Sequence, residues 1–294
     1  MKLEFTKMEG CGNDYVYVNG FTQKVKAEDK SALAVKLSDR HFGIGGDGLI
    51  FINPGKTAPF EMEMYNLDGT RGEMCGNGIR CVGKYIYDHG LCEDTNIDVE
   101  SAGKVKHLVM TPGSDGKIAS VRVDMGAPIL DPEDIPYKRT ESGIQAFGEG
   151  PVVSEGVVYD NSIVDITAVS MGNPHCVIFC DKDADLDKMD ISHIGPFFES
   201  EPHFPKKTNV EFVRVINRNN IEMRVYERGT GETLACGTGC CASVVAGVLN
   251  DYTDREVRVR IRGGELLINW DEAKNTVFMT GPATEVFSGT INIY

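Results

Sequence analysis

The 294-residue chain predicts an α+β fold made by internal duplication: two pseudo-symmetric domains rich in antiparallel strands, with few helices. Three observations carry this. Strand-like alternation dominates the chain. Helical periods are few and do not alternate with strands as a doubly wound sheet requires. Four anchors also recur in order. GNDY at Gly12–Tyr15 returns as GNPH at Gly172–His175, an offset of 160. Tyr65-Asn66 returns as Tyr226-Glu227 and Cys75 as Cys236, both at 161. VRVDMGAP, ending at Pro128, returns as TVFMTGPA, ending at Ala283, at 155. The duplication implies domains at 1–128 with 284–294, and at 129–283.

In chain order, LEFTK near the start, Asp14–Asn19, Gly48–Asn53 and Glu61–Asn66 read as strands. So do SVRVDMG, HCVIFC, VEFVRVIN, IEMRVYE, EVRVRI and TVFMTG. A helical period covers Asp29–Arg40, with Asp29 as its N-cap. Two more helices follow Cys75 and Cys236, and a short one spans Asp185–Ile194. Ile129–Gly150, carrying Pro, Gly and acidic residues without a period, is the expected crossing between the copies. The tail Thr284–Tyr294 alternates like a strand and is free to return to the first domain.

Composition narrows the function. A hydrophobic fraction of 41% gives a chain of this length an ample core. A net charge of −14 and the lack of a Lys/Arg run argue against a nucleic-acid partner. No segment approaches the roughly 20 apolar residues of a membrane span, and MKLEFTKMEG has no signal-peptide core. A cytoplasmic protein with no membrane partner is expected. The nine cysteines are then thiols, and without a C-x-x-C pair no metal site is expected.

CGNG at Cys75–Gly78 and CGTG at Cys236–Gly239 both open apolar helices. A helix N-terminus exposes unpaired N–H groups, and glycines leave them accessible to a carboxylate. The same partial positive charge favours a thiolate, with pKa values lowered to roughly 3.5–7.5 in known cases. Cys81, Cys92, Cys176, Cys180, Cys240 and Cys241 read as packing residues, and Cys11 lies in a glycine-flanked turn. Two matched thiols suit inversion of a stereocentre, in which a base and an acid act on opposite faces of one carbon. The helix ends would hold the carboxylate where charge develops.

GNDYVYV, NLDGTRGEMCGNGIRC, GNPH, KTNVEFV and YERGTGETLACGTG, in that order and across nearly the whole chain, resemble the diaminopimelate epimerase family. The resemblance implies a cofactor-independent (pyridoxal-phosphate-independent) isomerase acting on LL- and meso-diaminopimelate, in lysine and peptidoglycan-precursor biosynthesis. It implies two similar domains, each a curved, mainly antiparallel sheet around a central helix, and a homodimer. It assigns catalysis to Cys75 and Cys236. It places substrate contacts at Asn13, Asn66, Asn173, Asn209, Glu227 and Arg228, and backbone donors at Gly76, Asn77, Gly237 and Thr238. His175 would help set thiol protonation. Arg228 suits a distal carboxylate and Glu227 a distal ammonium. Two departures stand out. Some members carry Gln after the Asp of the G-I-G-x-D segment, whereas Gly48 follows Asp47 here. Cys11 stands where a non-thiol residue is more usual. The other readings weighed are a racemase for a different amino acid, a non-catalytic amino-acid-binding protein and a thiol-disulfide oxidoreductase.

Overall fold

The computed structural model describes residues 2–72, 74–139 and 150–293. The chain divides into two units, Met1–Asp124 with Thr280–Tyr294, and Met125–Met279.

In the first unit, β1 (Lys2–Gly10) pairs antiparallel with β2 (Asn13–Asn19). β2 runs parallel to β3 (Gly48–Pro54), which pairs antiparallel with β4 (Phe60–Asn66). β4 runs parallel to β5 (Asn96–Ser101). The antiparallel steps to β6 (Lys104–Pro112) and β7 (Ile118–Gly126) follow. The parallel steps need long crossovers, and these carry α1 (Ala27–Ser38) and α2 (Gly76–Asp88).

The second unit repeats this order. β8 (Glu155–Tyr159) and β9 (Ser162–Ser170) form an antiparallel hairpin, and β9 pairs antiparallel with β10 (Pro174–Phe179). β10 is parallel to β11 (Asn209–Asn217), which pairs antiparallel with β12 (Asn220–Glu227). β12 pairs antiparallel with the short β13 (Gly231–Thr233) and parallel with β14 (Glu256–Ile261). β15 (Gly264–Asp271) pairs antiparallel with β14, and β16 (Thr276–Pro282) follows. The crossovers carry α3 (Ile191–Glu199) and α4 (Gly237–Leu249). β17 (Thr284–Asn292) pairs antiparallel with β1, so the tail does return to the first unit.

The duplication is closest at the two long helices. α2 and α4 have 13 residues each, and both ends are offset by 161. Each is followed by a left-handed residue, Gly90 (φ 69°) and Asp251 (φ 55°). The next N–H closes back on the helix, Leu91 to Ile86 at 2.9 Å and Tyr252 to Gly247 at 2.8 Å. Nearly every residue of both helices is buried, so each helix fills the core of its own unit. Among the described residues no helix is long and apolar enough to cross a membrane.

Local expectations shift in three places. α1 begins at Ala27 behind Lys26, which offers no side-chain cap; Asp29 instead lies in the first turn, where the dipole favours acids. The helix expected over Asp185–Ile194 splits into a 3₁₀ turn at Leu186–Lys188 and α3. Two caps compete there: the Asp185 side chain accepts from Asp187 N–H, and Asp190 from His193 N–H. The unit boundary falls at Asp124/Met125, so Ile129–Arg139 belongs to the second unit. Ile129 bridges to Ser170, and the Tyr137 hydroxyl donates to Glu155 at 3.1 Å. The rest of the expected crossing, 140–149, lies outside the described residues.

Glu63 shows how the first unit tolerates a buried charge. It accepts from Lys30 at 2.5 Å, Asn53 at 2.6 Å and the Tyr65 hydroxyl at 2.9 Å, and pairs with Arg71 at 2.5 Å. Burial pushes its carboxyl up, but these donors, Lys30 foremost, outweigh burial and hold it below its usual range. A depressed carboxyl contributes stability above its unfolded pKa, near 4.5, and loses it as pH falls through the folded value. Lys30→Met should therefore cost about 1.5–3 kcal/mol at pH 7. Its unfolding free energy, measured with urea, should also fall less steeply than that of the wild type below pH 4.5. A variant with the parent's slope would show that Glu63 does not depend on Lys30.

Candidate active site

In the first unit Cys75 is the N-cap of α2, with extended backbone (φ −124°, ψ 115°). Its sulfur accepts from Gly78 N–H at 3.2 Å, the role a serine or aspartate oxygen usually takes. The thiol donates to Asn13 Oδ1 at 3.1 Å. Asn13 is oriented from behind: its Nδ2 donates to Asp47 at 2.7 Å, and Asp47 also accepts from Asp14 N–H at 3.2 Å and Arg40 at 3.0 Å. Because Asp47 can only accept, the amide oxygen is turned to the sulfur.

Asn77 follows Gly76 in the first turn of α2, and its side chain accepts from the fully buried Arg80 at 2.9 Å. Arg80 also donates to Gly76 O at 3.2 Å, Pro282 O at 3.1 Å and the Cys11 sulfur at 3.7 Å. Cys11 is buried in a left-handed turn (φ 55°). Asn66 behaves as a turn residue: its Nδ2 donates to Thr70 at 3.0 Å and its carbonyl accepts from Gly69 N–H at 2.9 Å.

The second unit repeats the cap. Cys236 (φ −122°, ψ 107°) accepts from Gly239 N–H at 3.4 Å and lies 3.5 Å from the Thr238 hydroxyl. Asn173 Nδ2 donates to that hydroxyl at 3.3 Å, and Asn173 Oδ1 lies 3.1 Å from His175 Nε2. His175 is fully buried, with Nδ1 2.7 Å from Glu211 Oε1. Asn209 joins two strands, donating to Pro174 O at 2.9 Å and accepting from Arg228 N–H at 3.0 Å. Glu227 accepts from the Thr233 hydroxyl at 2.5 Å, and the exposed Arg228 donates to Lys206 O at 3.3 Å.

One expectation is reversed at Cys236. The helix end was expected to lower its pKa, but burial, with the charges of Glu227 and Glu211 added, pushes this thiol well up. The hydrogen bonds from Thr238 and Gly239 oppose that rise without cancelling it. Asp47 and Glu211, which orient Asn13 and His175, were not anticipated. Glu211 had a signal: a carboxylate inside the apolar run NVEFV must be paired or functional. Its second oxygen, Oε2, has no hydrogen-bond partner among the described residues. A cavity of about 700 Å³ in the second unit, bordered by Arg214, Arg224 and Arg260, includes none of these motif residues.

Two units of one design, each with its central helix capped by a thiol, define a duplicated α+β class. Solved structures with this fold include a Bacillus anthracis phenazine biosynthesis protein of the PhzF family, at TM-score 0.70 and 16% identity over 100% of each chain. Another is a hydroxyproline epimerase from Agrobacterium vitis, at TM-score 0.66 and 12% identity, covering 99% of this chain and 91% of that one. Within the class, the chain belongs to the diaminopimelate epimerase family, whose profile matches residues 5–130 and 167–286. The diaminopimelate epimerase of Agathobacter rectalis is 51% identical over 291 residues, 99% of this chain and 100% of the relative. That of Leptospira biflexa is 49% identical over 293 residues, 100% of both.

The glycines three residues after each thiol differ in what they face. A Cβ on Gly78 would meet Ile50 Cδ1 at 3.0 Å, a methyl that can rotate away. On Gly239 it would meet Glu211 Oε1 at 2.6 Å, an oxygen held by His175. Alanine adds the same helix propensity, about 1 kcal/mol, at both positions. Gly239→Ala should therefore be about 1–3 kcal/mol less stable than Gly78→Ala in urea unfolding. Equal midpoints would refute the constraint at Glu211.

Proposed function

We propose that this chain is a diaminopimelate epimerase that interconverts LL- and meso-diaminopimelate by a two-base reaction needing no cofactor. The observation that carries the reading is the pair of helix-capping thiols, one per unit, in equivalent backbone settings. One thiolate removes the α-proton: the Cα–H bond breaks, S–H forms, and the electron pair passes into the adjacent carboxylate. The other thiol gives its proton to the opposite face: S–H breaks and Cα–H forms with inverted configuration. The sulfurs end with their protonation exchanged, so the reverse reaction begins from the other one. Two interacting thiols titrate as a pair.

The N–H groups at Gly76, Asn77, Gly237 and Thr238 suit the reacting carboxylate, because each lies at the positive end of a buried helix. Asn13 and Asn173, in contact with Cys75 and Thr238, hold the caps and border the substrate. Arg228 receives the distal carboxylate and Glu227 the distal ammonium. Asn209, bonded to Arg228 N–H, fixes that segment, and Asn66 contributes from its turn. His175 acts on thiol protonation through its contact with Asn173, which reaches Thr238 beside Cys236. The relatives' shared name supports the substrate, and the exposed Arg228 beside Glu227 suits a ligand charged at its far end. The same reading carries a cytoplasmic homodimer; β17 leaves Val286 and Phe287 exposed for such an interface.

The test is LL-diaminopimelate with purified protein in D₂O and no added cofactor, following deuterium at Cα and the meso product. Wild type should show both. Cys75→Ser and Cys236→Ser should each lose epimerisation by about 10³-fold or more. Full epimerisation by either variant would end the two-base scheme, and turnover of proline in place of LL-diaminopimelate would favour a different racemase.

A further inference from the structure

Glu199 is a buried carboxylate that the proposed reaction leaves unused. It closes α3 and is 6% exposed. An acid in the last turn of a helix opposes the dipole, and a buried charge must be paired. Glu199 is met by donors on both oxygens: Gly229 N–H donates to Oε1 at 2.8 Å, and Lys207 Nζ to Oε2 at 3.1 Å. The first donor belongs to the turn after β12. That turn carries Glu227 and Arg228 and is closed by Thr230 N–H, which donates to Glu227 O at 3.0 Å.

The bond to Gly229 completes a clamp on Arg228. A peptide group is planar, so holding the N–H on either side of a residue restrains its φ and ψ. Before the side chain, Arg228 N–H donates to Asn209 Oδ1 at 3.0 Å; after it, Gly229 N–H donates to Glu199. Asn209 is buried and itself donates to Pro174 O. Glu199 also seats the loop that meets the guanidinium. Its carbonyl accepts from Thr208 N–H at 3.1 Å, and Lys206 O in the same loop accepts from Arg228 Nη1 at 3.3 Å. α3 lies so close to β12 that a Cβ at Gly195 would overlap the Tyr226 ring, so the helix and the strand leading to the turn are fixed together.

At the matched positions the first unit has neither holding group. By the offset of 161, Leu67 stands for Arg228, Gly48 for Asn209 and Ser38 for Glu199. α1 ends at Ser38 as α3 ends at Glu199. Gly48 has no side chain, and the buried Ser38 hydroxyl has no hydrogen-bond partner among the described residues. The clamp thus accompanies the arginine. We infer that Glu199 is a positioning residue for the distal end of the substrate: through Gly229 N–H it holds the Arg228 backbone so that the guanidinium meets the distal carboxylate. This rests on the proposed function, which gives Arg228 that contact.

Two variants of the full chain separate reach from charge. Glu199→Asp keeps the charge but ends one methylene short of Gly229. Glu199→Gln keeps the reach and an acceptor oxygen but loses the charge. Hydrogen exchange, read by mass spectrometry on peptides spanning 227–231, should be about tenfold faster in Glu199→Asp and unchanged in Glu199→Gln. With LL-diaminopimelate, Glu199→Asp should raise KM about tenfold and leave kcat within about twofold. Glu199→Gln should stay within about threefold of wild type in both. A carboxylate that served only to pair Lys207 would reverse the order and make glutamine the impaired variant. That reversal overturns the inference, as does a Glu199→Asp variant with the exchange and KM of wild type, or one that loses kcat alone. A wild type that turns over no LL-diaminopimelate sinks the functional reading alone; the exchange contrast at Gly229 then still decides whether Glu199 holds the turn.

Discussion

The structure depends on a thiol taking the place of an oxygen at a helix cap. At both long helices the cap residue is cysteine, and its sulfur accepts from the N–H three residues on, at 3.2 Å from Gly78 and 3.4 Å from Gly239. Sulfur is a weak acceptor, so serine or aspartate would cap better. What the thiol gains is position. Each helix is buried along nearly its whole length and closed at its far end by a left-handed turn. A sulfur bound to the first turn of such a helix cannot move independently of the core of its unit. The placement of each sulfur is thus supplied by packing.

Backbone position does not set protonation. A helix N-terminus favours an anion by up to about 2 kcal/mol in partly buried settings. At Cys236 that influence is outweighed: desolvation acts first, and two carboxylates add to it. The sequence-level rule that a helix-start cysteine is acidic therefore fails here for an identifiable reason. Glu211, fully buried, and Glu227 act on the same sulfur.

The duplication was legible because its anchors are chemical and local. Cys75 and Cys236 stand at helix starts, and GNDY and GNPH open matching strands. Strands with clean alternation, such as EVRVRI, were readable for the same reason. The strands at Asn96–Ser101 and Lys104–Pro112 were not, because the exposed lysines and His107 of the second blur its pattern. α1 gave a false N-cap, since Asp29 satisfies the rule while the chain enters the helix two residues earlier. Side-chain partners lay further out of reach. No local pattern says that Arg80, inside an apolar helix, ties Gly76, Asn77 and Pro282 together, or that Asp47 turns Asn13 toward the sulfur. The contacts of Asp47 with Asn13 and of Arg80 with Pro282 join residues 34 and 202 positions apart, which only the folded register brings together.

Seen through the repeat, the two copies keep the backbone and change the side chains at a few matched positions. Asn66 stays within its own turn, whereas its counterpart Glu227 accepts from Thr233 and adds charge near Cys236. Gly48 leaves room for the Tyr65 carbonyl, 2.1 Å from where a Cβ would stand, whereas Asn209 links β10 to the Arg228 backbone. Ile50 puts a methyl beneath Gly78, whereas Glu211 puts a carboxylate beneath Gly239. Each change is affordable because the helix and its cap are held by contacts that these positions do not make. A doubled scaffold can therefore present two equivalent capping sulfurs and still set a pair of carboxylates beside one of them. The shared backbone fixes where each sulfur sits in its own unit, and the side chains at the matched positions set the charge around it.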